Sequence, residues 1–147
     1  MRKKSRSASF ILPKQVGWIV LALLLLLDTL LDVVRGTQGN PLFKPIENAF
    51  GIIVFPLLVP FVLVGFYFVV KAVGWPVKKF DKFPRGEELV LSVLVVIFAL
   101  HDLLIIVHDF FGVQILRSYA EMILLYTVVG IAYGWFAEYY EKKTGKI

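Results

Sequence analysis

The amino-acid sequence predicts an all-α integral membrane protein: one bundle of four transmembrane helices over residues 1–147, with both termini in the cytoplasm. Three observations carry that prediction. Of the 147 residues, 59% are hydrophobic and only 18% charged, and the mean hydropathy is +0.79, whereas soluble domains are about half apolar. The apolar residues fall in four blocks separated by short polar stretches. Lys and Arg gather on alternate connections between those blocks. An outer-membrane barrel would instead alternate apolar and polar residues over segments of about ten, and a disordered chain would be poor in apolar residues.

The blocks cover 15–35, 50–74, 88–111 and 119–140. About 20 residues cross a hydrocarbon core of about 30 Å as a helix. Helix is required there, because backbone in lipid must satisfy its own hydrogen bonds. The first block follows a basic start at Arg2, Lys3, Lys4 and Arg6. It reads as an uncleaved helix, since its apolar run outlasts a signal-peptide core and no small-residue cleavage site follows. The second block carries Pro56 and Pro60 at i,i+4, which frees carbonyls and favours a kink. Those carbonyls either sit in a tolerated bend or face a polar cavity. Lys71, near the end of the same block, is expected to snorkel. The fourth block holds Gly130-x3-Gly134, a packing face either within the bundle or between copies. Tyr126 and Tyr133 share its stripe and either donate hydroxyls to a buried network or pack.

Between the blocks, 36–48 contains the turn signal Asn40-Pro41. The basic-aromatic stretch 76–86 (PVKKFDKFPRG) is expected to lie on anionic headgroups. Residues 112–118 form a tight turn.

Charge distribution sets the orientation. One side carries Arg2, Lys3, Lys4, Arg6, Lys14, Lys78, Lys79, Lys82, Arg85, Lys142, Lys143 and Lys146, and the other only Arg35, Lys44 and Arg117. The positive-inside rule then makes this a multi-pass protein of the cell membrane with cytoplasmic termini. Trp18, Trp75 and Trp135 fall at the same inner interface, as an aromatic belt does. The net charge of +5 is therefore an orientation signal. No basic run interleaved with stacking aromatics lies outside the blocks, so nucleic acid is not an expected partner. There is no Cys, which excludes disulfides, thiolate metal sites and thiol catalysis.

The informative residues are the charges left inside the spans and at their outer ends. Asp28 and Asp32 lie about 18 and 24 Å from the inner end of the first helix, and His101 and Asp102 about 20 Å along the third. His108, Asp109, Glu47 and Glu121 sit nearer the outer surface, as an entry. A charge at mid-span costs about 2.5–3.5 kcal/mol on insertion scales, so these groups should face one another rather than lipid. Asp28 and Asp32 share a helix face at i,i+4, and the His-Asp pairs repeat at i,i+7. The economical arrangement packs the first helix against the third, with His101 donating to Asp28 or Asp32.

Such a cluster suits a cation or proton site formed by Asp28, Asp32, His101 and Asp102. Any resident cofactor is left open, a divalent cation being one candidate. Asp28, Asp32 and His101 would hold a Zn²⁺, or a Mn²⁺ or Fe²⁺ with waters completing the shell. His101 and His108, about 10 Å apart along the axis, are too far apart to share an ion. A proton relay uses the same residues. The leading expectation is a transporter-like protein or a subunit of a membrane complex. One alternative is a structural or assembly subunit whose polar network only holds helices together. A second is a membrane-embedded metal-dependent hydrolase, although no H-E-x-x-H, G-x-S-x-G or P-loop pattern is present and Ser92 and Ser118 stand alone. Partners beyond the bilayer are a second copy or a larger complex.

The segment Asp28-x3-Asp32-x3-Gly36-x2-Gly39-Asn40-Pro41-Leu42 resembles a family of small prokaryotic membrane proteins with an Asp on the first helix before a Gly…Asn-Pro loop. The likeness covers about 15 residues, and Gln38-Gly39 stands where those proteins tend to carry an acidic residue before Asn-Pro. The resemblance implies a prokaryotic membrane protein and no particular activity.

Overall fold

The computed structural model of the chain describes residues 9–37, 40, 43–116 and 118–144. Arg2, Lys3, Lys4, Arg6, Gln38, Gly39, Pro41, Leu42, Arg117 and Lys146 lie outside the described residues, so the basic N-terminal tail and part of the Asn-Pro loop are not placed. Every regular element among the described residues is helical: α1 (Lys14–Arg35), α2 (Lys44–Phe50), α3 (Val54–Phe80), α4 (Gly86–Phe111) and α5 (Tyr119–Lys143). Four of these (α1, α3, α4 and α5) are long and apolar enough to cross a membrane, with mean hydropathies of 2.2, 2.2, 2.8 and 1.5.

Two boundaries differ from the sequence expectation, each for a local reason. The block expected over 50–74 is one helix that starts later, at Val54, and a short helix, α2, occupies most of the end of the stretch expected as a connection. Gly51 adopts φ 76° and its amide closes on Glu47 O at 2.7 Å, which ends the short α2 before α3 begins. Pro56 then falls in the first turn of α3, where its missing amide would have no helical acceptor anyway. Only Pro60 and Pro76 interrupt the interior. At the other end α3 continues through Pro76 to Phe80, so the stretch expected to lie as a headgroup-bound loop is half helix. Phe83 is fully buried within it. Arg85 also turns inward, and Lys79 stacks over the Trp75 ring at 4.5 Å.

The central element is α4. It packs against α1, α3 and α5, while α1 and α3 also touch each other. Leu21 and Leu25 of α1, Val59 and Val70 of α3, and Leu91 and Val95 of α4 form one core cluster. Glycines set the closest crossings. A Cβ on Gly86 would stand 2.7 Å from Gly74 O, and one on Gly74 would stand 2.9 Å from Glu87 Cα, so α3 and α4 meet backbone to backbone. Gly130 is buried against Ile97 and Val93 of α4, and Gly134 also faces Val93. The G-x-x-x-G face is thus used inside the chain.

Both described chain ends meet beside the α3–α4 turn, at the termini end of the bundle. Ser92 Oγ accepts from Leu12 N at 2.8 Å and donates to Glu88 O at 2.8 Å. Tyr133 donates to Phe10 O. Lys71, expected to snorkel, is paired with Glu87 at 2.8 Å, and Lys14 reaches the same carboxylate at 2.7 Å.

Candidate functional site

The far end of the fold brings together most of the charges singled out from the sequence, in two groups. In the first, His101 of α4 is held between α1 and α5. Its Nε2 lies 3.4 Å from Asp28 Oδ1, an ion-pair separation longer than a typical hydrogen bond. Its Nδ1 lies 2.8 Å from the Tyr126 hydroxyl. The helical spacing explains the meeting. Asp28 lies seven residues beyond Leu21, on the α1 stripe that packs in the core. Tyr126 precedes the buried Gly130 by one turn, on the α5 face turned to α4.

The second group is built around Arg35. Its guanidinium bonds to Asp32 and, at 3.0 Å, to Asp109 Oδ2. Its Nε donates to Thr37 O at 3.2 Å. Asp32 is 1% exposed. Asp109 also receives His108 Nδ1 at 2.6 Å. Arg35 thus fastens the last turn of α1 to the last turn of α4. Sequence reasoning placed Arg35 only as a flanking charge, yet its i,i+3 spacing from Asp32 was a usable signal.

The expected four-residue cluster is therefore divided. Asp28 pairs with His101, while Asp32 pairs with Arg35. Asp102 has neither partner: it is 2% exposed, and neither carboxylate oxygen has a hydrogen-bond partner among the described residues. It shares the α4 stripe of Leu91 and Val95, being seven residues beyond Val95. Among the described residues no three His, Asp or Glu side chains come together as a metal-holding group. Asp28, Asp32 and His101 form no such group among the described residues, and Asp32 is bonded to the Arg35 guanidinium.

A cavity of about 490 Å³ opens beside both groups. Asp28, Asp32, Arg35, His101, His108 and Asp109 contribute to its wall, and Tyr126 closes one side. Thr29, Asn40 and Tyr119 add polar atoms, and the remaining wall is apolar, with Phe55 and Phe66 from α3 and Phe98 from α4 among the rings. The expected entry residues separate here. His108 and Asp109 line the cavity. Glu47 pairs with Lys44 at 2.9 Å. Glu121 belongs to the start of α5, where its amide donates to the N-cap Ser118 Oγ at 3.3 Å. Ser118-x-x-Glu121 is a capping-box pattern that the sequence reading passed over.

The Asp28–His101–Tyr126 chain suits proton transfer chemically. A neutral imidazole accepts from the tyrosine at Nδ1 and donates from Nε2 toward the carboxylate. The protonated ring donates from both nitrogens, and the hydroxyl only has to rotate. Both charge states fit one heavy-atom arrangement. No protein-family model, curated protein sequence or solved structure matches this chain.

Proposed function

We propose that the chain is a small multi-pass protein of the cell membrane, with both termini cytoplasmic, that takes up and releases protons through Asp28, His101 and Tyr126 in the outer half of the bilayer. It acts as a transporter-like protein or as a subunit of a larger membrane complex. The observation that carries this reading is the imidazole held between a carboxylate and a phenol hydroxyl at the wall of a cavity. Intramembrane Asp/His chains are expensive to insert and mark proton and ion routes. Histidine is the side chain whose charge changes near neutral pH. The imbalance of basic residues between the two sides supports the orientation.

The test uses the full chain in lipid nanodiscs with ¹⁵N-labelled histidine, made as the His108→Ala variant so that one imidazole reports. His101 is expected to change protonation state within the pH range in which the protein stays folded, with a changed midpoint in an added Asp28→Asn substitution. A ring that holds one protonation state across that range, or titrates identically without the carboxylate, overturns the proposal.

A second reading rests on Arg35. By joining Asp32 and Asp109 it ties two helices through charge, which is what a purely structural polar network does. On that reading Asp28→Asn lowers thermal stability and changes nothing else.

A further inference from the structure

We propose that the far-end cavity binds a hydrophobic organic cation, such as a protonated or quaternary amine with an apolar body, with Asp28 as its counter-ion and protons as its competitors. This rests on the proton reading of the same residues and names what exchanges against the proton.

The size is appropriate. About 490 Å³ falls within the range of about 300–1,000 Å³ typical of small-molecule sites. The wall chemistry selects the charge. Three carboxylates, Asp28, Asp32 and Asp109, face the cavity against one guanidinium, Arg35. With both histidines neutral the wall is therefore negative. Arg35 is engaged by Asp32 and Asp109. Among the described residues Asp28 has only the imidazole at ion-pair distance, so it is the carboxylate whose counter-charge a guest can supply.

The apolar wall selects the body of the guest. Aromatic rings from α3, α4 and α5 surround the space, namely Phe55, Phe66, Phe98, Tyr119 and Tyr126. Ring faces attract a cation, and more strongly where water is excluded. A hydrated inorganic ion would need several converging oxygen or nitrogen ligands, and no such group is assembled among the described residues. An anionic amphiphile would meet the negative wall. A neutral acyl chain would fill the volume without engaging Asp28.

Competition with protons follows from position. The titratable groups facing His101 are Asp28 and, one turn on, Asp32 from α1, and Tyr126 from α5, with Asp102 next to it on α4. From α3 the cavity wall receives only apolar side chains. When His101 takes a proton, its charge lies 3.4 Å from Asp28 and occupies the counter-ion position. One carboxylate then serves either the imidazolium or the guest, which is the condition for exchange of one for the other.

Equilibrium dialysis of the purified full chain with tetraphenylphosphonium and tetraphenylborate, ions of similar shape and opposite charge, tests this. Saturable binding of the phosphonium alone is expected at about pH 8, weakened about tenfold at about pH 5 and to a similar extent by Asp28→Asn. Asp28→Glu should restore it, and His101→Ala should abolish the pH dependence. Equal retention of both ions would identify an acyl-chain pocket and overturn the proposal. So would phosphonium binding that is indifferent to Asp28 or to pH. No saturable phosphonium binding, in a protein whose His101 still titrates, removes the organic cation and leaves the proton reading standing. A His101 that does not titrate removes the proton reading whatever the dialysis gives.

Discussion

The Arg85 guanidinium lies 2.9 Å from Glu141, whose side chain is completely buried. Ser9 Oγ donates to the other carboxylate oxygen at 2.6 Å, and Arg85 also donates to Ile11 O at 3.2 Å. One ion pair thus links the described start of the chain, the α3–α4 turn and the last turns of α5. Removing one partner of a buried pair strands the other, at a cost of about 3–5 kcal/mol. Arg85→Ala is expected to lower the thermal unfolding temperature of the detergent-solubilised protein more than any substitution of Lys78, Lys79 or Lys82. Equal effects would mean that Glu141 is solvated after all.

Asp102 supports the opposite prediction. Its carboxyl is buried without a hydrogen-bond partner among the described residues, and such a group carries a desolvation penalty of about 1–3 kcal/mol. Asp102→Leu is expected to raise thermal stability. It should change the His101 titration less than Asp28→Asn does, because Asp28 is the carboxylate at ion-pair distance from the imidazole. A destabilised variant would show that the carboxyl has a partner that the described residues do not supply.

The glycine contacts rank themselves. Gly86→Ala places a methyl 2.7 Å from Gly74 O, whereas Gly134→Ala places one 3.4 Å from Val93 Cγ2. The first must push two backbones apart, an overpacking cost of about 1–3 kcal/mol. The second meets ordinary contact. Parallel melts of the two variants should therefore differ clearly, with Gly134→Ala close to the parent protein.

At the far end, Arg35 and Asp109 can be separated by a double-mutant cycle. Arg35→Ala deprives the buried Asp32 of its guanidinium and should be the more damaging single change. Asp109→Asn removes a partly exposed partner and should cost less. A coupling of about 0.5–3 kcal/mol is expected from the melts of the two singles and the double, and a coupling near zero would deny the α1–α4 fastening.

Sidedness is directly accessible because the chain has no Cys. A cysteine at Val113, in the α4–α5 turn, should react with an impermeant maleimide in intact cells. One at Thr144 should react only after permeabilisation. The reverse pattern would invert the orientation.

The four apolar helices could be read from the sequence, because hydropathy over about 20 residues is a cumulative signal that single residues do not disturb. The partnership of His101 with Asp28 was also legible, since burying either alone is costly and both fall at one depth. The choice between Asp28 and Asp32 was not. It depends on Arg35 folding back one turn to take Asp32, a competition between side chains that spacing alone leaves undecided. The separate helix α2, ahead of the second long one, turned on a single backbone angle at Gly51. The Arg85–Glu141 pair joins positions 56 apart in the sequence. Arg85, counted among inner-side flanking charges, gave no sign of turning inward.

The central place of α4 has a consequence for synthesis. The first two long helices touch each other and can pair as soon as both have left the ribosome. The only extended helix contact of α5 among the described elements is with α4, which is already made when α5 emerges. Asp28 must wait, without its imidazole, until α4 has been made. The arrival of α4 is therefore the committing step. A nascent chain stalled before it holds an acid whose imidazole partner does not yet exist.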